Sequence, residues 1–161
     1  MTTIRFLLLA AVVATGACGG SDPITAPVPD PDIATTTFAP ALGIDLSKMT
    51  KTASGLYFRD LTVGSGATVL VGKRITVYYV GWLPSGAQFD AAQPPAAALS
   101  LTVGTQGVIK GFDEGVRGMA IGGRRQLIIP PSLGYGSSPP AGSPIPANSI
   151  LVFQIDVATI Q

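Results

Sequence analysis

No histidine occurs anywhere in the 161 residues. That removes the commonest general base, the commonest metal ligand and every nucleophile that depends on an imidazole partner. Charge is scarce as well: Asp, Glu, Lys and Arg make up 12 % of the chain, the net charge is +1, and no basic cluster exceeds Arg124-Arg125. A nucleic-acid partner, which is held through patches of Lys and Arg on phosphates, is therefore not expected. The few acids have no histidine and only one cysteine to join them, so no metal site is expected. That cysteine, Cys18, cannot close an intramolecular disulfide. No apolar run reaches the roughly 20 residues a membrane-spanning helix needs.

What is present begins with an address. Met1 to Arg5 carries one positive charge, Phe6 to Ala17 is an unbroken run of apolar and small residues, and Cys18 closes it. This is the pattern of a signal peptide over residues 1–17. Thr15-Gly16-Ala17-Cys18 resembles the lipobox of bacterial lipoproteins, departing from it at Thr15, where an aliphatic residue is usual. The resemblance implies cleavage before Cys18 and lipid on its sulfur, which would hold the protein on a membrane of the cell envelope, facing the periplasm or the exterior. Ordinary secretion is the alternative. Residues 18–45 are then dominated by Gly, Pro, Asp, Ser and Thr, with prolines at 23, 27, 29, 31 and 40. They are expected to be an extended tether without packed structure.

Residues 46–161 form the folded unit, and with 47 % apolar residues the chain can bury one good core. Strand signals fall at Leu56-Tyr57-Phe58-Arg59, Thr68-Val69-Leu70-Val71, Arg74 to Leu83, Gln88-Phe89-Asp90, Leu99 to Val103, Arg125 to Ile129 and Ile150 to Val157. Only one stretch has helical spacing: Ile109, Phe112, Val116 and Met119 recur at steps of three, four and three. Glycines at 104, 107, 111, 115 and 118 weaken that helix by about 1 kcal/mol each, so something must pack on it. The class is α+β: a bent antiparallel sheet of five or six strands around one short helix.

Candidate chemistry is thin. Asp113-Glu114 with Asp90 makes a poor glycosidase set, because neighbours on a helix diverge by about 100°. Gly64-Ser65-Gly66 lacks the third glycine of a dinucleotide loop and leads into a strand. There remain aromatic and polar residues near loop ends: Tyr79, Phe89, Asp90, Phe112, Tyr135 and Phe153. Any one of them alone could be ordinary core.

Together with their neighbours they form a pattern. Val77-Tyr78-Tyr79-Val80-Gly81-Trp82-Leu83, Gly86-Ala87-Gln88-Phe89-Asp90, Gly107-Val108-Ile109-Lys110-Gly111-Phe112-Asp113-Glu114-Gly115-Val116, Leu133-Gly134-Tyr135-Gly136, Ile145-Pro146 and Leu151-Val152-Phe153 occur in one order. In that order and spacing the chain resembles the FKBP-type peptidyl-prolyl isomerases over residues 50 to 161. The resemblance implies a cofactor-free catalyst of cis/trans rotation about X–Pro bonds, acting on proline-containing polypeptides, here exported ones. It also implies macrolide inhibitors as ligands and a monomeric state. Tyr79, Asp90, Ile109, Phe112 and Tyr135 would then be the catalytic set and Phe89, Leu99, Val108, Ile145 and Phe153 the substrate-binding set. Phe112 would be the floor under the proline ring, the Ile109 N–H and Tyr135 hydroxyl would bond substrate carbonyls, and Asp90 would be a buried polar group held by Tyr79. Three departures from the family stand out: Phe112 in place of Trp, Leu99 in place of an aromatic, and the loop from Ser137 to Pro144. The alternative function is an FKBP-like chaperone or adaptor that grips proline segments with weak or no catalysis.

Overall fold

The computed structural model describes residues 29–161; the signal peptide, Cys18 and the first part of the tether lie outside them. Among these residues seven strands form one antiparallel sheet, β1 (Thr50–Lys51), β2 (Tyr57–Thr62), β3 (Arg74–Trp82), β4 (Gln88–Ala92), β5 (Leu99–Thr102), β6 (Arg124–Ile129) and β7 (Leu151–Ile160), with one α-helix, α1 (Lys110–Val116), between β5 and β6. The order across the sheet is β1-β2-β6-β7-β3-β4. Strand β3 is shared on its outer side, its first half pairing with β5 and its second half with β4. Register shifts at Asp60/Thr62, Thr76/Val77 and Gly81/Trp82 interrupt the ladders. Such irregularities add local bend and twist, which lets one sheet curve round a helix.

The helix lies directly on β6, and its glycines are the reason it can. A Cβ on Gly111 would stand 2.5 Å from Ile129 Cγ2, and one on Gly115 would stand 2.4 Å from Leu127 Cδ1. Phe112 and Val116 add the apolar face, and Met119, also buried, continues it after the helix has ended at Arg117. The core on this side takes Ile75, Val77, Leu101, Leu127, Ile129, Leu151, Phe153, Ile155 and Val157 from the strands and Val103 from the turn just after β5. Beyond the short helix, Arg125 Nη1 donates to the Gly115 and Arg117 carbonyls at 2.9 and 3.0 Å, while its Nε and Nη2 grip Asp60 at 2.7 and 3.0 Å. A buried guanidinium thus satisfies carbonyls that the end of the helix leaves open.

Two expectations are corrected. Thr68-Val69-Leu70-Val71 is not a strand: Thr68 makes one bridge to Ala120, Val69 exchanges backbone bonds with Met119 and Gly118, and Leu70 and Val71 face solvent. Its backbone partners lie in the turn after α1, and the seventh strand is the two-residue β1 instead.

The larger correction concerns the tether. From residue 29 onward it is packed, with 3-10 turns at Ile33–Thr35, Pro40–Leu42 and Leu46–Lys48. Ile33, 4 % exposed, joins Ile128 and Ile150 in a second cluster with Phe38, Ile44, Leu46, Met49 and Tyr57 around it. Along β6, Leu127 and Ile129 face α1 while Ile128 faces this strap, as the period of two requires. Polar bonds hold the strap as well: Gln126 Nε2 donates to the Leu42 carbonyl at 2.7 Å, Arg59 Nη2 to that of Gly43 at 3.0 Å, and Asp30 accepts from Ser132. A strand buried on both faces needs a cover on each. Residues 29–49 are that second cover.

Candidate functional site

The concave side of the sheet and the start of α1 enclose a pocket of about 190 Å³, lined by Tyr79, Asp90, Leu99, Gly107, Val108, Ile109, Phe112, Tyr135 and Phe153. Strand β3 supplies Tyr79, β4 supplies Asp90, β5 supplies Leu99 and β7 supplies Phe153. The loop before α1 supplies 107–109, the first turn of the helix supplies Phe112, and the chain just past the 3-10 turn Pro131–Leu133 supplies Tyr135. Eight of the ten residues expected at the site therefore meet in one place.

Phe89 and Ile145 stand elsewhere. Phe89 packs edge-on against Phe153 with ring centroids 5.4 Å apart, over Gly81, where a Cβ would meet Phe89 Cζ at 2.7 Å. It backs the pocket wall. Ile145 is a core residue, 7 % exposed.

Aromatic edges build the pocket interior. Phe112 meets Tyr79 at 5.6 Å and Phe153 at 5.5 Å, both near-perpendicular, a geometry the ring quadrupoles favour. In the β3–β4 register Gly81 is opposite Asp90, so Tyr79 lies diagonal to it, and its hydroxyl donates to Asp90 Oδ2 at 2.6 Å. Asp90 is held by Tyr79 but is not buried. It stands exposed at the mouth of the pocket, because β4 is the edge of the sheet and no strand covers it.

Burial pushes the Tyr79 phenol well above its ordinary range, and the hydrogen bond to Asp90 and its charge push the same way. Tyr135 is raised by burial first and by the Asp90 charge second. Both phenols thus remain protonated, neutral donors at any ordinary pH. The Tyr135 hydroxyl has no hydrogen-bond partner among the described residues, and the Ile109 N–H donates to no backbone carbonyl there. Two residues lining the cavity therefore hold donors whose capacity is unspent. No arrangement here activates a nucleophile; the chemistry available is binding and reshaping of an amide.

Sequence reasoning missed Gly107 as a lining residue and the support of the loop that carries it. Asp113, 6 % exposed, accepts the Gly104 N–H at 2.6 Å and pairs with Arg117. The i,i+4 spacing of Asp113 and Arg117 was a visible signal of that pair.

The model of the family described as FKBP-type peptidyl-prolyl cis-trans isomerase matches residues 66–158. The chain belongs to this family. An FK506-binding protein of Neisseria meningitidis serogroup B is 42 % identical over 106 residues, covering 66 % of this chain and 96 % of that protein. Among solved structures, FkpA from Escherichia coli superposes with a TM-score of 0.63 at 31 % identity, covering 71 % of this chain and 52 % of that one. AtFKBP13 gives the same TM-score at 36 % identity, with 70 % and 98 % covered. The FKBP-type chain described here is thus a peptidyl-prolyl isomerase with an antiparallel sheet bent round one short helix. The matched region starts at residue 66, so the strap of residues 29–49 lies outside it.

Proposed function

We propose that the pocket over Phe112 is where this isomerase twists X–Pro bonds, and that its clients are exported polypeptides. What carries the reading is the combination of an apolar aromatic floor with two unspent neutral donors, the Ile109 N–H and the Tyr135 hydroxyl, at one cavity.

Rotation about an X–Pro amide meets a barrier of ~18–20 kcal/mol and takes tens of seconds unaided. A ten-thousand-fold acceleration requires lowering that barrier by about 5–6 kcal/mol. The twisted amide has lost resonance and much of its dipole, so a dry aromatic pocket favours it over the planar form. Fixed donors that fit the twisted geometry add up to ~3 kcal/mol each. In this assignment Phe112 carries the proline ring, Leu99, Val108 and Phe153 close its sides, and Tyr79 fixes Asp90 at the rim. Action as a monomer is part of this reading. Macrolides of the FK506 class would compete for the same cavity.

The signal pattern and Cys18 support a lipid-anchored location in the cell envelope. The test is acceleration of a proline-limited refolding reaction by the purified chain, with mass spectrometry of the mature N-terminus for the lipid. No acceleration would overturn the assignment of the pocket, and an unmodified Cys18 would overturn the anchor.

A further inference from the structure

We propose that the groove leading out of the proline pocket is a second substrate subsite that takes an acidic residue flanking the X–Pro bond, with Lys110 reading it. The inference rests on the pocket being the isomerase site and deepens that reading by naming a class of preferred substrate.

A groove of about 390 Å³ runs between the loop preceding α1 and the turn following β6. It shares Val108, Ile109 and Tyr135 with the pocket, so a polypeptide leaving the pocket past the Ile109 N–H enters it directly. Its one charged lining side chain is Lys110, exposed at the first position of α1.

The charge of Lys110 is unspent. It makes no ion pair among the described residues. Glu114, one turn on, makes no ion pair with it, and both its carboxylate oxygens accept from the Ser54 hydroxyl at 2.8 and 2.9 Å. Asp113 is taken by Arg117 and the Gly104 N–H. Across the groove, behind the Ser132 wall, Asp30 is taken by the Ser132 N–H and hydroxyl. None of these acids pairs with Lys110, so an incoming carboxylate meets this cation with no ion pair to break.

An exposed pair of this kind changes affinity modestly. The expected gain is roughly two- to five-fold in kcat/KM for a flanking Glu over Ala, shrinking at high salt. It should appear in KM and leave kcat alone, because the contact is the same in the planar and twisted states.

The test uses the full chain and matched X–Pro peptides carrying Glu, Ala or Lys within three residues on either side of the bond. Each is assayed at about 20 mM and about 500 mM salt, conditions that differ several-fold in screening length. The same series is run with Lys110→Glu, which should place Lys-flanked peptides above Glu-flanked ones, and with Lys110→Gln, which should level them. Equal KM for the three peptides in the wild-type chain, or an order unchanged by Lys110→Glu, overturns the subsite while leaving the isomerase assignment intact. Inactivity of the wild-type chain on every peptide overturns both.

Discussion

The Tyr79 hydroxyl and the Asp90 carboxylate are joined at 2.6 Å across β3 and β4, at the mouth of the pocket. One phenol is thereby tied to the sheet edge while the other, that of Tyr135, stays free.

A pH prediction follows from the sign of the phenol shifts. Both Tyr79 and Tyr135 are raised above the ordinary value of about 10. Below pH 10 the phenols are protonated in folded and unfolded chains alike, and their contribution is complete. Above it the unfolded chain loses protons that the folded one keeps, so stability falls as pH rises. Denaturant midpoints measured from about pH 9 to about 11.5 should therefore decline, and Tyr79→Phe should flatten that decline. An identical slope in the variant would contradict the buried-phenol account.

The strap makes a prediction about where the folded unit begins. Ile33 is 4 % exposed against Ile128 and Ile150, so Ile33→Ala should cost about 2–4 kcal/mol in chemical denaturation. A chain starting at residue 46 should be destabilised further, because it also bares Ile128 and Ile150 and loses the Leu42 carbonyl that Gln126 uses. If 46–161 and 29–161 unfold at the same denaturant concentration, the second cover contributes nothing.

Helix propensity and packing disagree at Gly115, which decides a third experiment. Propensity alone would have Gly115→Ala stabilise by about 1 kcal/mol. The new Cβ, however, would stand 2.4, 2.8 and 3.1 Å from three atoms of Leu127, so the whole side chain must move. Overpacking of this sort costs about 1–3 kcal/mol, and the net change should be destabilising. Adding Leu127→Ala should make the two changes non-additive, the second costing less in the presence of the first. A stabilised single variant would show that α1 can lift off β6 freely.

How far the sequence was legible varied with how local the signal was. The alternation of Leu151, Phe153, Ile155 and Val157 and the helical steps of Phe112, Val116 and Met119 are short-range patterns, and both describe buried faces. The family motifs then brought most of the pocket together. The strap was not legible because Ile33, Phe38, Ile44 and Leu46 have no regular period and are set among Thr, Ala, Gly and Pro40. Their burial depends on the outer face of β6, and only the tertiary structure shows that Ile128 needs a cover. Asp90 was misjudged for a related reason: its exposure follows from β4 being the sheet edge, which no residue in β4 announces. Arg125 likewise looked like half of a basic pair, and its role at the end of α1 arises from the crossing of that helix over β6.

The most direct measurement is turnover of an X–Pro peptide by the 29–161 unit, compared between wild type and Phe112→Ala with folding of both checked by cooperative unfolding. If the pocket over Phe112 is the isomerase site, the wild type accelerates isomerisation and the variant, still folded, loses at least tenfold of kcat/KM, about 1.4 kcal/mol of transition-state binding. A folded Phe112→Ala chain with wild-type turnover would contradict the account.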